Sequence, residues 1–328
     1  MKPKVFIKKF SPGNISTTIE EALDWINIEK IIRKEDRVFI KPNFTYPIYK
    51  EGVTTSPLII EGLIKLFSEF TSNIIVGESD GGYYAWKAEE AFKGHSLYEI
   101  AHRYGAKLVN LSNIETEVTE LKLSSKTIIN VPLPRLLLHE IDVFITVPVP
   151  KVHVMTNVSL GFKNQWGCIP DTMRLMYHYL FDEMIIALNK ILNPKIVIFD
   201  GTYFLDRTGP MDGDPVPMNL IIASNDIGAG SLVCCEIMNI DPEKVKHLRL
   251  ARKEGMLPYS LEEICLNIPT NNFKVQKFRL ERTIINWIAL AVFNSKIGLK
   301  FVYDSPLSGV IRWLINAIRG RRDFKAGY

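Results

Sequence analysis

The chain has 328 residues, and its 40 Lys and Arg against 36 Asp and Glu give a formal net charge of +4. That small excess does not indicate a nucleic-acid-binding protein. With 47% hydrophobic and 23% charged residues, the composition excludes a disordered chain and is typical of a globular protein with a large core.

The N-terminal sequence MKPKVFIKKFSPG has only a short apolar run before two lysines, unlike the hydrophobic region of a signal peptide. No apolar stretch reaches the ~18 residues of an ordinary transmembrane helix. The four cysteines include no C-x-x-C pair, so we expect no iron–sulfur cluster. Together these features predict a cytoplasmic protein.

Charge is unevenly distributed along the chain. Residues 271–328 hold 11 Lys and Arg and 3 acids, a net of +8, so residues 1–270 carry −4. We therefore predict an α/β core domain over residues 1–270 and a basic, aromatic-rich C-terminal extension over residues 271–328.

In chain order, short β-rich apolar runs alternate with helical patterns, which is typical of an α/β fold with a mostly parallel sheet and helices on both faces. The predicted strands are Val38–Lys41, Asn73–Gly77, Lys107–Asn110, Val143–Val147, Lys195–Phe199 and Leu220–Ala223. Two helices are predicted from their N-termini, one from a capping box at Thr17 and Glu20 and one from Ser56-Pro57. Further helices are predicted over Ala85–Tyr104, Met176–Ile191 and Gly230–Met238.

Polar side chains follow five of the predicted strands, where the carboxyl ends of an open α/β sheet form its ligand-binding crevice. They are Asn43, Asp80, Lys151 with His153, Asp200 and Asp226, and Lys41 ends the first of these strands. Each acid alone is as well explained by a helix cap or a turn. The repetition of one chemistry at five strand ends predicts a single functional cleft.

The segment from Lys151 to Asp171 is the densest in such groups. Lysines and amides beside glycines suit an anionic ligand, either a carboxylate or a phosphate. The G-x-x-x-x-G-K-[ST] and G-x-G-x-x-G motifs are absent, so neither ATP nor a dinucleotide is indicated.

The leading hypothesis is an enzyme for a small anionic substrate or cofactor at the strand ends. Its catalytic residues would be His153 as acid and base, Lys163 and Asp200. The substrate-binding residues would be Lys41, Asn43, Lys151, Asn164, Gly167 and Gly209. Asp80, Asp200 and Asp226 are the candidate ligands of a divalent metal, because carboxylate oxygens suit hard cations.

The segments IKPNF, TTSP, VGESDGG, DVFITVPVPKVH, LGFKNQWGCIP, IFDGTYFLDRTGP and IIASND resemble, in this order, the prokaryotic family called domain of unknown function 362. The most specific shared elements are Lys151-x-His153, Gly161-x-Lys163-Asn164-x-x-Gly167, Asp200-Gly201 and Gly209-Pro210. The resemblance implies a cytoplasmic protein of a family without an established general activity. The segment from Lys163 to Pro170 is also distantly similar to the lysine-bearing loop of lactate racemase-like proteins.

The sequence departs from the family pattern in two places. Some members carry a ferredoxin-like iron–sulfur module, and no cysteine-rich segment of that kind is present in this sequence. Where the family has a second acid after the Ser-x-Asp strand end, this chain reads Ile227-Gly228-Ala229-Gly230. A metal site that depends on that acid would be weaker here.

The C-terminal extension offers an alternative to the enzyme hypothesis. Residues 308–322 predict an amphipathic helix with Arg312, Asn316 and Arg319 on a narrow polar stripe. With the apolar run Ile284–Phe293, residues 284–322 would attach a non-catalytic binding or scaffold protein to the inner face of a membrane or to a homo-oligomer. The aromatic residues lie on the apolar face, so nucleic acid is not the expected partner.

Overall fold

The computed structural model describes residues 2–311, and the elements below lie in that range. The strands are β1 Lys4–Lys9, β2 Val38–Pro42, β3 Ile74–Glu78, β4 Lys107–Asn110, β5 Thr116–Lys122, β6 Ile128–Pro134, β7 Val143–Val147, β8 Lys151–His153, β9 Asn157–Ser159, β10 Ile196–Asp206, β11 Asp214–Ser224 and β12 Cys265–Leu266. The α-helices are α1 Ile15–Trp25, α2 Pro57–Phe70, α3 Ala88–Gly94, α4 Leu97–Tyr104, α5 Phe181–Leu192, α6 Ile227–Met238, α7 Lys246–Lys253, α8 Ile284–Phe293 and α9 Lys296–Tyr303.

Most strands form one sheet, in the order β12, β1, β11, β10, β7, β2, β3 and β4, with the β8–β9 hairpin attached beside β10. The pairs β10–β7, β7–β2, β2–β3 and β3–β4 are parallel, which confirms the mostly parallel sheet. β11 runs antiparallel to β10 and β1, because a direct connection without a crossover helix joins β10 to β11. β5 and β6 form a separate antiparallel hairpin.

Helices cover both faces of this sheet, as the sequence predicts. On β10, Ile198 contributes to the core under α1 and α2, and its neighbours Val197 and Phe199 contribute to the core under α5 and α6. This alternation follows from the two-residue period of side chains along a strand. Because both faces are covered, β7 is buried along its whole length.

Three helix predictions need correction, two of them in the first half of the chain. Helix α1 begins at Ile15 with Asn14 as its N-cap residue, so the capping box predicted at Thr17 and Glu20 is wrong. The helix predicted over Ala85–Tyr104 is broken into α3 and α4. A Cβ atom on Gly94 would lie 2.1 Å from the carbonyl oxygen of Pro47, and Ser96 has a left-handed φ of 56°. The left-handed residue Ser96 interrupts the helical backbone between α3 and α4, and the close approach at position 94 leaves no room for a Cβ atom.

A short helical segment, Thr172–Leu180, replaces the first part of the helix predicted over Met176–Ile191. Its N-cap is Asp171, whose side chain accepts a hydrogen bond from the backbone N–H of Met173 at 2.7 Å. The segment packs against both α8 and α9. It therefore connects the centre of the molecule to the C-terminal extension.

The extension begins with Phe273 and Phe278, which are buried in the same core as α5 and α6. It continues into α8 and α9, which meet at an angle of 106°. Within residues 2–311 no single helix is long and apolar enough to cross a membrane, and α8 and α9 meet the length and composition requirements only as a bent pair. The amphipathic helix predicted over residues 308–322 lies largely outside the described residues.

Candidate functional site

A cavity of about 210 Å³ lies at the carboxyl ends of β2 and β3. Five of the predicted site residues line it, namely Lys41, Asn43, Lys163, Asn164 and Gly167. They come from β2, from the loop that follows it, and from the helical segment Phe162–Cys168. The structure thus brings together residues that are separated by more than a hundred positions in the sequence.

A buried ion pair forms the floor of this cavity. Lys41 Nζ lies 2.6 Å from Glu78 Oε2, and the two side chains are 1% and 5% exposed, so neither charge is hydrated by bulk water. Glu78 also accepts hydrogen bonds from the backbone N–H groups of Ser79 and Phe44. Burial raises the pKa of Glu78, and the attraction of Lys41 opposes that rise.

Gly167 lies directly against this pair. A Cβ atom there would be 2.6 Å from Glu78 Oε1 and 2.9 Å from Lys41 Nζ, closer than van der Waals contact allows. The residue is therefore a glycine because the ion pair occupies the space that a side chain would need. The absence of a side chain at Gly167 leaves room for the Lys41–Glu78 pair, and substrate binding by Gly167, which lines the cavity, stays a prediction.

Lys163 contributes a second cation from the segment Phe162–Cys168. Its Nζ lies 5.4 Å from the centre of the Phe181 ring, and among residues 2–311 no hydrogen-bond or ion-pair partner is found for it. Burial, with the positive charges of Arg174 and Lys41, lowers the pKa of Lys163 to about 8. The amine therefore changes protonation state close to neutral pH.

Arg174 is the third cation of the cavity and is 7% exposed. Its Nη2 donates to the backbone carbonyl of Asp80 at 2.7 Å, and its Nη1 donates to that of Ile169 at 3.2 Å. Within the described chain no carboxylate lies within ion-pair distance of it, and burial lowers its pKa. Glu78 is the single carboxylate among the described lining residues, so three cations face one anion.

Hydrogen bonds hold the Lys163 segment against the sheet. Asn164 Nδ2 donates to the backbone carbonyl of Lys41 and to Thr146 Oγ1, both at 2.9 Å. Gln165 Nε2 donates to Asn189 Oδ1 on α5 at 2.6 Å. The amide nitrogen of Asn164 is thus used in positioning Lys163 beside Lys41.

Lys151 lies outside the cavity lining, behind Asn43. Its Nζ donates to the backbone carbonyl of Val53 at 2.6 Å and to Thr45 Oγ1 at 3.1 Å, and it lies 3.4 Å from Asn43 Oδ1. Burial, with the charge of Lys163, lowers the pKa of Lys151 well below its ordinary value. Lys151 therefore supports the loop that carries Asn43 and Thr45, both of which line the cavity.

Two histidines lie near Lys163 in different settings. His178 lines the cavity, its Nδ1 donates to the carbonyl of Leu175 at 2.7 Å, and desolvation lowers its pKa to about 3. His153 does not line the cavity, and its Nδ1 accepts hydrogen bonds from the backbone N–H groups of Met155 and Thr156. Burial and nearby cations lower the pKa of His153 as well, so both imidazoles are neutral at physiological pH.

The three candidate metal ligands lie at the N-termini of three different helices. Asp80 accepts a hydrogen bond from the backbone N–H of Ala88, the first residue of α3, and Asp226 accepts one from Ala229 in α6. Asp200 accepts the N–H of Ser56, the residue before α2, at 2.6 Å. Across residues 2–311, no group of three or more His, Cys, Asp or Glu is placed to hold a metal ion. Of the three, Asp226 is the N-cap residue of its helix, whereas Asp80 also pairs with Lys87 at 2.9 Å and Asp200 also accepts hydrogen bonds from Thr202.

Gly209 also lies away from the cavity. A Cβ atom on it would be 2.0 Å from the carbonyl oxygen of Val152, and its own carbonyl accepts the N–H of Val154. The loop that follows β10 therefore packs closely on the β8–β9 hairpin. Met211, two residues further along the same loop, reaches the cavity lining.

Sequence reasoning did not assign Glu78, Arg174 or His178 to the site. Glu78 is the last residue of β3, directly before the Ser-Asp-Gly-Gly turn. This strand-end position was the signal available in the sequence. Arg174 and His178 lie in the segment Thr172–Leu180, whose pattern in the sequence predicts an ordinary helix. Their position over the cavity depends on the packing of that segment.

A Gly167→Ala variant is expected to lose about 1–3 kcal/mol of unfolding free energy, because the new methyl group overlaps the Lys41–Glu78 pair. Urea denaturation measures this change. Gly82→Ala is the matched control, since Gly82 lines the same cavity and its Cβ position has no atom within 4 Å. Equal stability of the two variants would contradict the placement of Gly167 against the pair.

An Asp226→Ala variant is expected to lose about 1 kcal/mol of unfolding free energy, because the cap of α6 is removed. Asp226→Asn should lose much less, since an asparagine oxygen accepts the same bond from Ala229. Chemical denaturation of both variants separates a cap from a site that needs the negative charge. Equal losses for Ala and Asn would show that the charge itself is required.

A family model described as "Domain of unknown function (DUF362)" matches residues 38–236. The chain is 31% identical over 269 residues to the "Thylakoid-associated protein sll1697" of Synechocystis, and the match covers 78% of this chain and 79% of that protein.

Two solved structures are similar to this chain at 15% identity. Lactate racemase apoprotein from Thermoanaerobacterium thermosaccharolyticum has a TM-score of 0.47, and the match covers 72% of this chain and 56% of that one. A structural-genomics protein from Thermotoga maritima has a TM-score of 0.44, with 75% and 60% covered. The chain therefore spans less than two thirds of either protein.

The matched segment, residues 38–236, contains every described residue of the cavity lining, from Lys41 to Met211. Helices α8 and α9 lie beyond it. The family model covers more than half of the chain, and the Synechocystis relative is matched over more than two thirds of both sequences. The protein therefore belongs to the family described as domain of unknown function (DUF362).

Proposed function

We propose that the protein is an enzyme that binds a small anion, a carboxylate or a phosphate, in the cavity beside Lys163. The observation that carries the proposal is the charge of the lining. Glu78 neutralises Lys41, and the described chain offers no carboxylate partner to Lys163 or Arg174. Two cations without a carboxylate at ion-pair distance, in a partly dehydrated cavity, favour an anionic ligand, because the ligand would supply a direct partner.

In this proposal Lys163 carries the proton. A lysine with a pKa of about 8 is present in both protonation states near neutral pH, which suits a general acid or base. Arg174 stays charged through that range and binds the anion. His178 is neutral and contributes a polar wall rather than a second charge.

The test is calorimetric titration of the full-length protein with inorganic phosphate and with oxalate. Lys163→Met is expected to weaken binding of the better ligand by at least about tenfold, because one of the two cations without an ion-pair partner is lost. Lys34→Met is the matched control, since Lys34 is exposed in the turn that precedes β2, at the opposite end of that strand. Equal binding by wild type and Lys163→Met would overturn the proposal.

A second candidate function is attachment to a membrane surface through α8 and α9. The outer side of this pair carries large apolar side chains in solvent, including Ile284 at 79%, Trp287 at 57% and Ile297 at 81% exposure. Isolated exposed apolar residues are common, but a group of this kind on two adjoining helices marks an interaction surface. The name of the thylakoid-associated relative supports a membrane location for this chain as well.

Vesicle pelleting tests this second candidate. The full-length protein should pellet with phosphatidylcholine–phosphatidylglycerol vesicles and pellet less with pure phosphatidylcholine, since the extension is basic. Trp287→Ser with Ile297→Ser should reduce pelleting, and Val118→Ser, which removes an exposed valine on β5, should not. A change of sedimentation mass without a change of pelleting would instead favour an oligomer interface.

A further inference from the structure

The cavity has an apolar side as well as a cationic floor. Phe44, Trp86, Trp166 and Leu175 line it together with the three cations. Its volume of about 210 Å³ is below the roughly 300–1,000 Å³ of sites that enclose a whole drug-sized ligand. The cavity is therefore large enough for an anionic head group, and the rest of a larger ligand would extend outside it.

Helices α8 and α9 adjoin this cavity at two of its edges. The ring of Phe293 in α8 lies 5.0 Å from that of His178, which lines the cavity. The ring of Tyr303 in α9 lies 5.2 Å from that of Tyr83, the neighbour of the lining residue Gly82. The two aromatic side chains of the extension also contact each other, at 5.9 Å. One side of the extension thus forms an aromatic border to the cavity.

The other side of the extension is apolar and exposed. In α8 no residue is fully buried, and Trp287 and Ile288 are more than half exposed. In α9 the outward residues Ile297 and Phe301 are exposed, beside Lys296 and Lys300. An apolar surface flanked by lysines is complementary to the interface of an anionic bilayer.

From these two sides we infer that the ligand of the cavity is an anionic amphiphile. Its phosphate or carboxylate head group contacts Lys163 and Arg174, and its hydrocarbon chain leaves along Trp166 and Phe293 toward the bilayer on which α8 and α9 rest. This inference rests on the proposed anion site and specifies its substrate class. A free small anion would need neither the aromatic border nor the exposed helix pair.

The test compares octyl phosphate with inorganic phosphate by calorimetric titration of the full-length protein without vesicles. Octyl phosphate should bind at least about tenfold more tightly, since burial of only two methylene groups gives that factor. Phe293→Ala should reduce this advantage to less than about threefold and leave the affinity for inorganic phosphate unchanged. Phe301→Ala is the matched control, because Phe301 is exposed on the outer side of the extension.

Three outcomes decide the inference. If inorganic phosphate binds in a Lys163-dependent manner but the octyl chain adds no affinity, the amphiphile is overturned and the anion site stands. If Lys163→Met changes neither affinity, the proposed function fails and the inference fails with it. If octyltrimethylammonium, with the same chain and a positive charge, binds as tightly as octyl phosphate, the chain is adsorbing to an apolar surface and the inference is overturned.

Discussion

A Glu78→Gln variant is expected to lose about 3–5 kcal/mol of unfolding free energy at neutral pH, the largest effect of any substitution considered. The Lys41 ammonium is 1% exposed and lies 2.6 Å from the Glu78 carboxylate. Without that carboxylate the ammonium would be buried in the cavity floor with no compensating anion beside it. A buried charge without a partner costs free energy in the folded state, whereas in the unfolded state water solvates the same ammonium.

Urea denaturation measures the loss, and an exposed pair provides the control. Glu140 pairs with Arg37 on the surface, so Glu140→Gln should lose no more than about 1 kcal/mol. The double variant Lys41→Met with Glu78→Leu should recover most of the stability, because an apolar pair leaves no buried charge uncompensated. Similar losses for Glu78→Gln and Glu140→Gln would contradict a buried pair at the cavity floor.

Glu78→Gln also changes the charge of the cavity. It removes the single carboxylate of the described lining, so the folded variant should bind inorganic phosphate more tightly than the wild type does. Gly167→Ala, which displaces the same pair without removing its charge, should not have this effect. A phosphate titration of the two variants below their unfolding temperature distinguishes the loss of charge from the loss of packing.

Anion binding is expected to weaken strongly as the pH rises, because Lys163 loses its proton. Because the pKa of Lys163 is about 8, the amine is mostly protonated at pH 7 and mostly neutral at pH 9.5. If one proton is coupled to binding, the Kd for sulfate should rise about 10–30-fold across that interval. Sulfate is the appropriate probe since its own charge does not change there. Calorimetric titration at several pH values measures the profile.

Lys163→Arg is the control that assigns this profile. Its guanidinium stays charged throughout, so its Kd should vary little between pH 7 and 9.5. The other charged groups near Lys163 are Lys41, Arg174 and Glu78 in the lining and Lys151 behind it. A profile that persists in Lys163→Arg would assign the titration to one of these, with Lys151 the first to examine.

The same pKa gives the sign of a stability effect. Between pH 8 and the ordinary lysine pKa of 10.5, the unfolded chain binds a proton at Lys163 that the folded chain does not. Stability therefore rises with pH across this window through Lys163. In Lys163→Met, urea denaturation at pH 8 and pH 10 should show a smaller rise than in wild type.

The strand ends explain why much of the cavity could be predicted from the sequence. Lys41 lies at the end of an apolar β run and Asn43 directly after it, whereas the Lys163–Asn164 pair lies between glycines after the β8–β9 hairpin. In a parallel sheet such positions converge, because neighbouring strands end at the same edge. Asp200 also lies at a strand end, but its carboxylate accepts a hydrogen bond from Ser56 at the start of α2. An acid at a strand end can bond to a helix N-terminus as readily as it can bind a ligand.

The remaining site residues depend on contacts between distant segments. Arg174 faces the cavity because the segment Thr172–Leu180 folds over it and donates to the carbonyl of Asp80, and nothing in the local pattern indicates that path. His153 is the opposite case, a residue that the sequence predicts in the site and that the structure places outside the cavity. It shares a strand with Lys151, but backbone donors of the following turn occupy its Nδ1, and it lies off the cavity.

The sequence by itself determined the α/β class, the family resemblance and the accumulation of lysines at strand ends, because hydrophobic periodicity and strand-end chemistry are local properties. The tertiary structure decided which of those groups meet. It paired Lys41 with Glu78, left Lys163 and Arg174 without a described acidic partner, and placed Asp80, Asp200 and Asp226 at the N-termini of three different helices. The physical reason is that charge compensation depends on distances of a few ångströms between segments, which one-dimensional patterns do not contain.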